Sequence, residues 1–209
     1  MVGKGALLEC LESPHVETIL LINRNSVGIT HPKVKEIIHK DFFDWSAIRD
    51  QLKGYNACLF CMGVSAAGMK EPEYTRLTYD LTLGFAKELL AFNSDMTFCY
   101  VSGAGTSTKM NSRMMWANVK GKTENDLMSL GFKNAYMFRP AFIQPLKGIR
   151  SRTPLYQGIY NIMRHFYGLL KHFPGSVTDT TTLGQAMIGV CVNGFPKAIL
   201  ESRDINTFK

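Results

Sequence analysis

The sequence predicts an α/β fold built on a doubly wound parallel sheet, and three observations carry that reading. Short apolar runs of strand length alternate with stretches of helical period. Several of the runs, such as Val16 to Asn23 and Phe98-Cys99-Tyr100-Val101, are apolar at nearly every position, the pattern of strands buried on both faces. Each run ends in a polar or glycine-bearing turn that leads into the next helix, which is the spacing of βαβ units with right-handed crossovers. At 209 residues, with 45% hydrophobic and 20% charged residues, the chain suits a single domain over 1–209 with a sizeable core.

The elements follow in order. Gly3 to Leu11 reads as a helix ended by Ser13-Pro14. Val16 to Asn23 is the next strand, with Arg24 at its carboxyl end, and Lys33 to Asp41 is a second. Trp45 to Leu52 is a short helix stopped by Gly54. A third strand, Ala57 to Met62, runs into Gly63 and a loop of small residues, Val64-Ser65-Ala66-Ala67-Gly68. Pro72 opens a long helix whose Leu77, Leu81, Phe85 and Leu89 form one stripe at helical spacing. The strand that ends at Ser102 turns on Gly103 and Gly105, and a helix runs from Met114 to about Leu130, placing Lys120 one turn beyond Trp116. Ala135 to Phe138 is a strand closed by Arg139-Pro140. Beyond Pro140 the alternation loosens. Ile149 to Phe173 mixes aromatics with cations, Thr180 to Val192 is a helix and Ala198 to Glu201 a short strand, so 141–197 reads as a region on the substrate side, with 149–173 as a lid.

Composition excludes several classes. The net charge of +7 is spread along the chain without a Lys/Arg block, which argues against nucleic acid and suits an anionic cofactor in a basic cleft. No apolar run approaches the roughly 18 residues of a spanning helix. Met1-Val2-Gly3-Lys4-Gly5 lacks the charged-then-apolar order of a signal peptide, and a cytoplasmic protein is expected. An odd number of cysteines in mostly apolar surroundings suggests a reducing compartment. Cys58 and Cys61 are three apart on a strand, point to opposite faces and can neither chelate nor bridge. The histidines lack ligand spacing, and no metal is expected.

Five stretches in this order and spacing carry a family likeness: Leu20-Leu21-Ile22-Asn23-Arg24, Asp41-Phe42, Tyr100-Val101-Ser102-Gly103-Ala104, Lys120-Gly121-Lys122-Thr123-Glu124 and Phe138-Arg139-Pro140. Through them the chain resembles the atypical short-chain dehydrogenase/reductase group of the NAD(P)-dependent epimerase/dehydratase-like Rossmann proteins, and more narrowly the Tat-interacting oxidoreductase-like branch. The resemblance implies a catalytic set in which a serine at a strand end and a tyrosine bond the substrate oxygen. A lysine four residues after the tyrosine lowers its pKa and holds the nicotinamide ribose. Ser102 and Lys120 match two of these positions, and Trp116 stands at the tyrosine position.

For the cofactor, the resemblance makes Gly3 the third glycine of a G-x-x-G-x-x-G turn, with Gly5 beyond it. It sets Arg24 against a 2′-phosphate, and hence favours NADP over NAD. Asp41 and Phe42 flank the adenine, Gly63 lets the backbone approach ribose and pyrophosphate, and Pro140 lies beside the nicotinamide. Arg24, Asp41, Phe42, Ser102 and Lys120 also have plainer readings: a solvated arginine, a capping aspartate, a core phenylalanine, a turn serine, a surface lysine. The family's first strand and first two glycines have no counterpart here. The chain therefore reads as N-terminally truncated, with two unpaired sheet edges where that central strand would lie.

The expected function is NADP-dependent oxidation or reduction of a small or apolar carbonyl or alcohol. Activity should be weak or altered, because an indole N–H cannot cycle a proton at neutral pH. The alternative is a non-catalytic dinucleotide-binding regulatory or scaffold protein. Peripheral membrane contact through Ile149 to Phe173 is a third reading, and a homodimer could form through the helices beginning at Pro72 and Met114.

Overall fold

The computed structural model describes residues 1–149 and 175–209. Helix α1 (Val2–Glu12) comes first, followed by β1 (Ile19–Asn23), β2 (Val34–Ile38), a 3-10 helix over Ser46–Leu52 and β3 (Ala57–Phe60). A long helical segment consists of α2 (Glu71–Thr75), a π turn over Arg76–Asp80 and α3 (Leu81–Leu90). Then come β4 (Thr97–Val101), α4 (Met115–Ser129), β5 (Asn134–Arg139) and β6 (Phe142–Gln144). The chain closes with β7 (Val177–Asp179), α5 (Thr180–Asn193), β8 (Ile199–Glu201), the single turn α6 (Ser202–Ile205) and a 3-10 turn over Asn206–Phe208.

The main sheet has the order β3-β4-β5-β8 and is parallel throughout; Cys99 of β4 lies opposite Leu59 of β3 and Tyr136 of β5. Its strands are buried on both faces, and the alternation divides their side chains cleanly. Phe60, Phe98, Tyr100 and Met137 join the core beneath the 3-10 helix and α3, with Trp45, Ile48, Leu52, Phe85 and Leu89. Cys99, Tyr136, Phe138 and Leu200 join the opposite core, with Ala6 of α1 and Leu183, Ala186, Met187 and Val190 of α5. Burying each large side chain contributes about 1.5–3 kcal/mol, so these two layers supply most of the drive to fold. Cys58 packs with the first core and Cys61 with the second, as the period of two requires.

α1 approaches its neighbours closely because three glycines let it. A Cβ on Gly3 would stand 3.3 Å from Cys61 Cβ, at the end of β3. One on Gly5 would stand 2.7 Å from Thr180 Cβ, and one on Gly184 would stand 2.7 Å from Glu9 Cγ, so α1 and α5 pack almost backbone to backbone. At the other end of α1, Lys33 Nζ donates to the carbonyls of Leu11 (3.1 Å) and Ser13 (2.7 Å), a cation placed where the helix carries partial negative charge.

β1 and β2 form a separate parallel pair, Ile19 opposite Val34 through Asn23 opposite Ile38. Among the described residues, neither the second edge of β1 nor that of β3 has a strand partner. These are the two open edges implied by the likeness. The second strand stops earlier than its apolar pattern suggested, at Ile38, because His39 and the following residues turn: His39 Nε2 lies 2.7 Å from Asp44 O. β6 and β7 pair in parallel as a third small sheet, which the sequence pattern did not indicate. The helix over Thr180–Asn193 packs against the sheet face beside α1. The lid reading of Ile149 to Phe173 falls, from residue 150 onward, outside the described residues.

Candidate active site

In a parallel sheet all carboxyl ends share one edge, and the turns there are free to carry chemistry. Here that edge of the main sheet holds Gly63 after β3, Ser102 after β4 and Pro140 after β5, while Arg24 and Asp41 follow the strands of the separate β1–β2 pair.

The best-built part lies between β4, β5 and α4. Ser102 continues the β4–β5 ladder, its N–H donating to Phe138 O at 2.9 Å, and it is 6% exposed. The chain then turns on Gly103 (φ 133) and Gly105 (φ 87), conformations that an L side chain rarely adopts. Ala104 N donates to Pro140 O at 2.9 Å, which brings the buried Pro140 against the same turn. The loop is then fastened to α4. Ser107 N reaches Ala117 O (3.0 Å), Asn118 exchanges bonds with the Ser112 backbone (2.9 and 2.8 Å), and Asn125 Nδ2 donates to Thr108 O (2.9 Å). Gly121 is required at this contact, since a Cβ there would lie 1.9 Å from Ser107 O.

On α4, Lys120 and Glu124 are four residues apart and share the face turned to β4. Lys120 Nζ donates to the Ser102 carbonyl. The Ser102 hydroxyl donates to Glu124 Oε1 at 2.5 Å. Glu124 is fully buried and also accepts from Arg139, Nε to Oε1 at 3.0 Å and Nη2 to Oε2 at 2.5 Å. Arg139 reaches outward to Glu201 at 3.3 Å. Burial lowers the Lys120 ammonium to about 8, against the pull of the nearby Glu124 carboxylate. The Glu124 carboxylate holds the Arg139 guanidinium above its ordinary value. Tyr100, on the same face of β4 as Ser102, is almost wholly buried, and burial drives its phenol far above the ordinary range. It is no substitute acid. Trp116 lies one turn before Lys120, its ring against Gly105: a Cβ on that glycine would meet Trp116 Cη2 at 3.4 Å.

The remaining positions lie beyond the ends of β1, β2 and β3. Arg24 is exposed, and among the described residues it forms no ion pair. The loop after it is ordered by Glu36, which accepts from Ser26 Oγ (2.5 Å), Val27 N (3.0 Å) and Asn23 Nδ2 (3.2 Å). Those bonds, that from Ser26 foremost, lower the Glu36 pKa. Asp41 is exposed, and its carboxylate accepts from Phe43 N at 2.9 Å. Phe42 is 7% exposed and stands edge-on to Trp45 in the core. A Cβ on Gly63 would meet nothing within 4 Å, so the space above the end of β3 is open. The structure thus brings Ser102, Trp116, Lys120 and Pro140 around one turn, with Arg24 and Asp41 on the β1–β2 side. Sequence reasoning missed the roles of Glu124, Arg139, Gly121 and Glu36; the four-residue step from Lys120 to Glu124 was the available signal. Among the described residues no group of three or more His, Cys, Asp or Glu side chains could hold a metal ion, and no helix is long and apolar enough to cross a membrane.

No protein-family model matches the chain. It is 27% identical over 196 residues to the protein FMP52, mitochondrial, of Debaryomyces hansenii, a match covering 92% of this chain and 82% of that one. It is 27% identical over 191 residues to FMP52-1, mitochondrial, of Scheffersomyces stipitis, covering 90% and 79%. These names overturn the cytoplasmic expectation. Compartment is set by receptor-read addresses, which the composition of a folded domain does not report. Among solved structures, the Bordetella bronchiseptica enzyme WbmF in complex with NAD+ superposes with a TM-score of 0.65 at 16% identity, over 99% of this chain and 73% of that one. The UDP-N-acetylglucosamine 4-epimerase of Methanobrevibacter ruminantium gives 0.70 at 12%, over 96% and 72%. A short-chain dehydrogenase/reductase superfamily protein from Agrobacterium tumefaciens with bound NAD gives 0.65 at 13%, over 96% and 74%. The chain therefore has the Rossmann-type α/β fold seen in short-chain dehydrogenase/reductase and epimerase structures.

Proposed function

We propose that this protein binds a nicotinamide dinucleotide, NADP in preference to NAD, and acts as a mitochondrial oxidoreductase on a small or apolar alcohol or carbonyl. The observation that carries the reading is the Ser102–Lys120–Glu124 junction at the carboxyl edge of a parallel sheet. The same edge fits the cofactor. Gly63 leaves open space, and Arg24 offers a guanidinium that forms no ion pair among the described residues. Those groups would receive phosphates, with Lys120 toward the ribose; when bound, the dinucleotide supplies the hydride donor or acceptor. The likenesses to structures with bound NAD support a nicotinamide dinucleotide, while the preference for NADP rests on Arg24.

Ser102 limits the chemistry. A hydroxyl has one proton to donate and lone pairs to accept with. With that proton given to Glu124, Ser102 Oγ accepts from an alcohol O–H but does not donate to a carbonyl. The aromatic composition of Ile149 to Phe173 supports an apolar substrate.

Cofactor choice tests the proposal. A charge-assisted bond from Arg24 to a 2′-phosphate contributes about 1.5–3 kcal/mol, roughly tenfold to hundredfold in affinity. Fluorescence titrations with NADPH and NADH should show preference for NADPH, and Arg24→Asp should reverse it. An unchanged ratio of dissociation constants would remove the assignment of Arg24. If neither nucleotide binds the wild type, the functional reading itself fails.

A further inference from the structure

We propose that Cys191 is an oxidation site whose resolving partner is Cys99, the two forming a disulfide between α5 and β4 when the protein meets a peroxide. The two cysteines are far apart in sequence, but their Sγ atoms lie 3.7 Å apart, and the Cys99 thiol also faces the Met187 carbonyl at 4.0 Å, one turn back along α5. A disulfide needs about 2.05 Å between sulfurs, so the pair closes through a modest shift of one side chain. Cys191 is the member placed to move. It is only half-buried and stands in the last turn of α5, which closes at Gly194. Cys99 is wholly buried at the centre of the sheet, and burial raises its thiol well above the ordinary value. The other three cysteines fit less well: Cys58 packs with the opposite core, and among the described residues Cys99 is the cysteine whose sulfur contacts that of Cys191.

The steps balance. The Cys191 sulfur attacks hydrogen peroxide, the O–O bond breaks, and Cys191 becomes a sulfenic acid with release of one water. The Cys99 sulfur then attacks the Cys191 sulfur. The S–O bond breaks, the Cys99 proton leaves with the hydroxide as a second water, and two thiols have been oxidised by one peroxide. Because β4 runs from Cys99 into Ser102, the new bond ties the strand carrying the candidate site to α5. The inference is independent of the dinucleotide reading.

Graded hydrogen peroxide followed by peptide mass mapping tests it on the full chain. The expected result is a cross-linked peptide pair containing Cys99 and Cys191, with loss of two free thiols per chain and recovery of both under dithiothreitol. Cys191→Ser should abolish the cross-link, and Cys10→Ser should leave it intact. Over-oxidation of Cys191 without a cross-link, pairing of Cys191 with Cys10, or a cross-link between two chains would each overturn the proposal.

Discussion

Glu124→Ala should destabilise the fold by about 3–5 kcal/mol, the loss typical of removing one partner from a buried ion pair. Glu124 has no exposure of its own, and it satisfies Arg139 twice and the Ser102 hydroxyl once. Without it, Arg139 keeps one partner, Glu201, which is half exposed and screened by water. The Ser102 hydroxyl keeps only the Phe138 carbonyl, at 3.2 Å. Glu124→Gln preserves the shape and an acceptor and should lose less. Glu124 also opposes the effect of burial on Lys120, so its removal should take that ammonium below about 8. A lysine depressed in the folded state binds fewer protons than in the unfolded chain between about 8 and its ordinary 10.5, so stability rises with pH through that window. Urea unfolding of both variants checks the magnitudes; a Glu124→Ala midpoint close to wild type would show that the network is not what holds β4, β5 and α4 together.

Trp116→Tyr should raise turnover by as much as about 10²–10⁴-fold, the usual contribution of a positioned acid or base. An indole can donate a hydrogen bond but exchanges no proton at neutral pH, whereas a phenol one turn before Lys120 would sit beside a cation able to lower its pKa. The substitution removes bulk beside Gly105 and adds none to the core. The gain should fade above about pH 8, where Lys120 gives up the charge that assists the phenol. Lys120→Ala in either background should abolish what activity there is. Wild-type turnover that survives Lys120→Ala would place the chemistry on other residues.

Much of this architecture was legible in the sequence because its strands announce themselves. Phe98 to Val101 is apolar on both faces, and the structure sends Phe98 and Tyr100 one way, Cys99 and Val101 the other. Cys58 and Cys61 could be placed on opposite faces by counting alone. The β6–β7 pairing could not, because Phe142-Ile143-Gln144 and Val177-Thr178-Asp179 are too short and mixed to stand out from loop. The contact between α1 and α5 was hidden for a different reason: Gly5 and Gly184 are ordinary helix-interior glycines until the two helices are laid together. At the site, strand-end geometry located Ser102 and helical spacing located Lys120. The direction of the serine hydroxyl depends on Glu124, whose burial only the packed structure reveals.

The division of the sheet gives the molecule two levels of cooperativity. β4 is bonded along both edges and almost wholly buried, so its amides should exchange with solvent deuterium only when the whole domain opens. Among the described residues β1 has β2 alone beside it and is half-buried along its whole length, so the β1–β2 pair can open as a small unit while the main sheet stays closed. Native-state hydrogen exchange should separate the two, with peptides over 19–38 labelled long before those over 97–101 and 134–139. Equal protection across these peptides would mean that the two sheets open as one. Since Arg24 hangs from the end of β1, a dinucleotide held there would close this gap in protection, and the slowing of exchange over 19–38 would report its binding.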